Sequence, residues 1–154
     1  AAMARVCLGA EQHKKAHKPS HRIDISVHSI DESVALSAMY AANHLKGVKA
    51  IICMTQTGQT PLLMSRIRSG IPIFAFTPQA DTHRRVCLYR GVITHPFDSE
   101  VLDNDKVNHI AVEQLKDLGV VKDGDIVLIT KGDYVKAHGG TNTLKVVRVG
   151  NHIQ

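Results

Sequence analysis

Apolar residues in this chain gather into short runs, and between the runs they recur at the wider spacing of helices. Ala50-Ile51-Ile52-Cys53-Met54 is an unbroken apolar run, which suits a strand covered on both faces. Ile71 to Thr77, Val92 to Phe97, Asp125 to Thr130 and Leu144 to Val149 predict four more strands. Helical segments lie between them. Glu32 to Leu45 predicts a helix with Asp31 as N-cap, a loosely spaced apolar set of Val34, Met39, Ala42 and Leu45, and Gly47 as its stop. Pro61 to Ser69 (closed by Gly70), Asp81 to Tyr89 and Asp103 to Leu118 follow, and Ala1 to Lys15 predicts an opening helix ended at Lys18-Pro19-Ser20. Strands alternating with helices predict an α/β fold: three layers, with a mostly parallel five-stranded sheet and helices on both faces. The connection Lys131 to Asn142 is long and has no helical pattern, so the last strand should return antiparallel and lie at the sheet edge. No internal repeat or low-complexity segment interrupts this order.

The length of 154 residues suits one domain. A chain of that size buries roughly 68–70% of its unfolded surface and needs no metal or disulfide staple. A hydrophobic share of 44% against 21% charged argues against disorder. No apolar run reaches the roughly 20 residues of a membrane span, and no signal-peptide pattern opens the chain, so a soluble cytoplasmic protein is expected. Cys7, Cys53 and Cys87 are odd in number and sit among apolar residues, which predicts reduced thiols. Lys and Arg number 19 and Asp and Glu 14, a balance of +5, yet the basic residues are scattered. With three Tyr, three Phe and no Trp there is little to stack on bases, so a solvated surface is expected and not a nucleic-acid partner. Ala1-Ala2-Met3-Ala4-Arg5-Val6 reads like the middle of a helix with no cap before it, which suggests a piece of a longer chain.

Two loops carry candidate chemistry. Thr55-Gln56-Thr57-Gly58-Gln59-Thr60 joins the apolar strand to the next helix, with Thr60 expected as N-cap and Pro61 at the first helical position. Amides at a helix start, a glycine that lets the backbone approach an anion, and three hydroxyls together suit a phosphate cradle. An ordinary capped strand-to-helix turn has the same spacing. No Lys follows the glycine as in a Walker A loop, so ATP hydrolysis is unsupported. The second loop, Thr130 to Asn142, leaves its strand at the same carboxyl edge, where open α/β sheets bind ligands. There Lys131, Lys136 and His138 offer positive charge, Gly139 and Gly140 permit close approach, and Thr141 adds a hydroxyl. The two loops could face one ligand; a solvated connection is the plainer alternative.

Metal chemistry finds less support. His13 and His17 share a helix face and His21 follows at the same interval, but Lys14, Lys15 and Lys18 repel a cation and Pro19 breaks the helix first. No nucleophile elbow is present, and the carboxylates are spread singly.

The ordered set Ala2 to Glu11, Leu36 to Gly47, Thr55 to Thr60, Ser69 to Thr77, Tyr89-Arg90-Gly91-Val92 and Gly140-Thr141-Asn142-Thr143 resembles the C-terminal domain of bacterial pyruvate kinase, over essentially the whole chain. The type activated by AMP and sugar monophosphates is the most similar. The resemblance implies a domain of an enzyme that moves a phosphoryl group from phosphoenolpyruvate to ADP with Mg²⁺ and K⁺, in a barrel whose signature segments do not occur here. The active site would then lie outside this chain, which would need no cofactor of its own. Residues 1–20 would connect to the catalytic barrel, and residues 21–154 would form the regulatory domain. Thr55, Gln56, Thr57, Gly58, Gln59 and Thr60 match the family's effector-phosphate loop, and the domain supplies part of a tetramer contact. Many members carry Arg or Lys where Gln59 stands, and those that bind fructose 1,6-bisphosphate use a Trp that this chain lacks; AMP or a sugar monophosphate is the expected effector. A free-standing sugar-phosphate binding module is the alternative. Expected partners are thus the effector, the catalytic domain and further copies of the chain, without nucleic acid or membrane.

Overall fold

The computed structural model describes residues 2–12, 26–97, 104–132 and 140–151. The elements are α1 (Ala2–Gln12), α2 (Ile30–His44), β1 (Val48–Met54), α3 (Gln59–Ser65), β2 (Ile73–Thr77), α4 (Ala80–Val86), β3 (Val92–Pro96), α5 (Asn104–Asp117), β4 (Ile126–Lys131) and β5 (Thr143–Arg148). They form a five-stranded sheet in the order β3-β2-β1-β4-β5. The first four strands run parallel, with Ile52 beside Phe74 and Ile129, while β5 pairs antiparallel with β4 through Thr130 and Leu144. The α/β expectation and the antiparallel edge strand both hold.

Strand position explains strand composition. Central β1 is buried at every residue except Lys49 because helices cover both of its faces. On one face Ile52, Phe76 and Ile129 pack under Val107, Ala111, Val112 and Leu115 of α5. On the other, Ile51, Cys53, Ala75 and Leu128 pack under Ala38 and Met39 of α2, Met64 of α3 and Val86 of α4. The described side chains of α1 are all exposed.

Several boundaries differ from the sequence reading. Helix α2 is capped by Ser29, not Asp31: the Ser29 hydroxyl accepts from Glu32 N at 3.3 Å, and Glu32 Oε2 accepts from His28 N at 3.0 Å. The hydroxyl and the glutamate three residues after it satisfy one amide each, and Asp31 is left to favour the positive helix end by charge. Helices α3 and α4 stop at Ser65 and Val86, short of Ser69 and Tyr89. The opening helix is described only to Gln12, and His13, His17 and His21 lie outside the described residues. No described helix is long and apolar enough to cross a membrane.

Candidate functional site

The parallel strands β2, β1 and β4 end side by side, so the residues that follow them share one edge of the sheet. The chain leaves β1 with Thr55 N donating to Phe76 O at 2.9 Å, then turns sharply as Gly58 N donates to Thr55 Oγ1 at 2.9 Å. A threonine hydroxyl that catches an amide three residues on makes a compact turn. Helix α4 holds the outside of this turn. Thr82 Oγ1 donates to Gln56 O at 2.7 Å, Arg85 Nη2 donates to Thr57 O, and the Gln79 side chain reaches Gln56 Oε1 at 3.4 Å.

These contacts decide where α3 begins. Residue type favours Thr60 as N-cap; Gly58 takes that place with φ +77° and no side-chain cap, and Thr60 and Pro61 fall within the first turn. Proline remains acceptable there because first-turn amides have no intrahelical acceptor. Thr60 is instead buried, and its hydroxyl lies 2.7 Å from the Thr141 hydroxyl, which is also buried. That pair joins the two candidate loops across 81 positions of sequence.

The second loop is pinched at its base. Asn142 N donates to Lys131 O at 3.2 Å, and a Cβ on Gly132 would stand 2.6 Å from Gly140 O, so only glycine permits this approach. Lys131 is half-buried at the end of β4, and Gly140 is exposed beside the pinch. Lys136, His138 and Gly139 lie outside the described residues. Thr55 and Gln56 are half-buried, Gly58 is buried, and Thr57 and Gln59 are exposed.

Sequence reasoning missed Thr82 and Arg85, and it marked Thr130 only as the start of the second loop. The first two sit on the helix that follows β2, as α3 follows β1, and that repetition of strand then helix at one edge was the available signal. Thr130 Oγ1 is buried without a hydrogen-bond partner among the described residues. It sits in register with Cys53, a free thiol whose pKa burial pushes up to about 12. Cys53 is therefore a protonated core residue and no nucleophile. Among the described residues no three His, Cys, Asp or Glu side chains converge to hold a metal ion, and no Mg²⁺ or K⁺ chemistry is assigned to them.

Residues 32–147 match the family model described as pyruvate kinase, alpha/beta domain. The chain belongs to that family. Pyruvate kinase II of Salmonella typhimurium is 48% identical over 149 residues, covering 97% of this chain and 31% of that protein. A pyruvate kinase of Haemophilus influenzae is 48% identical over 143 residues, covering 93% and 29% respectively. The crystal structure of a pyruvate kinase from Cryptosporidium parvum superposes with TM-score 0.68 at 29% identity, covering 80% of this chain and 23% of that one. The chain thus spans about three-tenths of the length of these two bacterial pyruvate kinases. The expected C-terminal domain of pyruvate kinase is what the relatives support.

Proposed function

We propose that this pyruvate kinase domain regulates its enzyme by binding a phosphorylated effector, AMP or a sugar monophosphate, between the Thr55 to Thr60 turn and the loop after β4. The observation that carries the reading is the Thr60–Thr141 hydroxyl pair, which closes the two loops on each other at the carboxyl edge of the sheet. The first amides of α3 and the exposed Thr57 hydroxyl offer donors to a phosphate there. The exposed apolar side chains of α1, Met3, Val6 and Leu8, suit a connector that packs on a catalytic domain. Edge strand β5, with Val146 exposed, suits a contact between copies in a tetramer.

Thr57 is the position at which to test the site. Thr57→Glu places a carboxylate on an exposed residue of the turn, where it competes with the phosphate, whereas a glutamate at the buried Thr60 would disturb the fold. Calorimetric titration with AMP and with glucose 6-phosphate should show binding to the wild type and none to Thr57→Glu. Equal affinity in both proteins would place the site elsewhere.

The domain by itself is expected to be silent in catalysis. Phosphoryl transfer needs metal ligands and cations placed around the transferred group, and the described residues present no such cluster. Pyruvate formation from phosphoenolpyruvate and ADP, with Mg²⁺ and K⁺ present, is the assay; turnover by the purified chain would overturn the assignment of catalysis to another domain.

A further inference from the structure

We infer that Arg85 on α4 is a positioning residue for the anion-binding turn: by holding the Thr57 carbonyl against α4 it keeps an oxygen that would repel a phosphate away from the ligand side and braces the turn that Gly58 N and the Thr55 hydroxyl close. The inference rests on the effector reading above and adds to it a residue outside both loops.

In a planar trans peptide the carbonyl and the following N–H point in opposite directions. Thr82 Oγ1 holds Gln56 O at 2.7 Å, so Thr57 N–H is directed away from α4. Arg85 Nη2 holds Thr57 O, so Gly58 N–H is directed away as well, where the Thr55 hydroxyl meets it at 2.9 Å. Two successive carbonyls, which would repel a phosphate, are thereby turned from the ligand side. Without the guanidinium, nothing else among the described residues holds Thr57 O, and the Gly58 N–H bond to Thr55 Oγ1 is left as the one restraint on that peptide among them.

Two facts make Arg85 suited to the task. Its side chain is exposed, so its remaining donors are not used up in the core. Residues Thr55 to Thr60 contain no Lys or Arg of their own, and Arg85 brings a fixed positive charge to their edge. The neighbouring Arg84 differs: it pairs with Asp81 on its own helix, both well exposed, and serves as the control.

The test compares wild type with Arg85→Gln, Arg85→Lys and Arg84→Gln by AMP titration and by NMR-detected exchange of the Gly58 amide in ligand-free protein. Arg85→Gln should weaken AMP binding about ten-fold or more, the loss expected for a charge-assisted bond that orders a site. It should also speed Gly58 exchange several-fold, while Arg84→Gln changes neither. Arg85→Lys keeps the charge but not the planar fork, so it should recover part of both. Unchanged AMP affinity or unchanged Gly58 exchange in Arg85→Gln overturns the inference. If the wild type binds no AMP, the AMP-site reading fails on its own, and Gly58 exchange still decides whether Arg85 sets the turn.

Discussion

Replacing Gly58 with alanine should cost the fold about 2–5 kcal/mol, a sum of two separate effects. The first is conformational. Gly58 has φ +77°, and an L-residue held in the left-handed region costs roughly 1–2 kcal/mol. The second is steric, because the new Cβ would stand 2.7 Å from Val86 Cγ2. Val86 is fully buried between α4 and the sheet and has no room to retreat, so overpacking adds about 1–3 kcal/mol. Gly119 separates the two effects: it has φ +70°, but a methyl added there would meet nothing within 4 Å, so Gly119→Ala should show only the conformational cost. Urea denaturation measures both, with the midpoint falling and the slope unchanged. Equal losses at the two glycines would mean that the Val86 contact does not constrain the turn. The same substitution pushes the turn off α4, so AMP affinity should fall with stability in Gly58→Ala and stay intact in Gly119→Ala.

The contrast between Gly58 and Thr60 shows which parts of this domain were legible in the sequence. The apolar run Ala50 to Met54 declared a central strand because burial on both faces leaves no polar position, and the structure places β1 in the middle of the sheet. The antiparallel return of β5 was legible because a parallel return would have needed a crossover, and Lys131 to Asn142 has no helical pattern. The start of α3 was not legible. Residue types favoured Thr60 followed by Pro61, but hydrogen bonds from Thr82 and Arg85, more than twenty residues away, capture the preceding carbonyls and start the helix at Gly58. The capping rule weighs neighbours in sequence, and here neighbours in space decide. Ser29 displacing Asp31 is a milder case, since both are good caps and the placement of Glu32 selects between them. In the candidate site, each loop stood out by its own residues, yet the contact between Thr60 and Thr141 needed the sheet order to bring their strands together. The pyruvate kinase family came from the ordered resemblance and not from spacing, because a glycine between threonines fits an ordinary turn equally well.

The three cysteines should divide sharply by reactivity. Cys7 and Cys87 are exposed, whereas Cys53 is wholly buried on β1, facing α2 and α3. Alkylation proceeds through the thiolate, and burial pushes the Cys53 pKa from an ordinary 9.0 to about 12, so this thiol lacks both access and ionisation. Iodoacetamide at pH 8 should modify two thiols quickly and the third only when the domain unfolds, which mass spectrometry of the labelled peptides resolves. Modification of Cys53 at the rate of Cys87 in the folded protein would show that β1 is not the sealed centre of the sheet. The same shift sets a pH dependence. In the unfolded chain the thiol ionises near 9.0 while the folded one keeps its proton up to about 12, so between these values the unfolded state binds fewer protons. Stability must then fall as pH rises through that window, with a limiting slope of about 1.4 kcal/mol per pH unit, and this group contributes no slope below it. Cys53→Ala removes the titrating group at the cost of a small cavity, so its stability relative to wild type should improve steadily from pH 9 to pH 11. Tyrosine and lysine ionisation affects both proteins alike and cancels in the difference. Parallel stability curves for the two proteins over that range would overturn the assignment of the alkaline loss to Cys53.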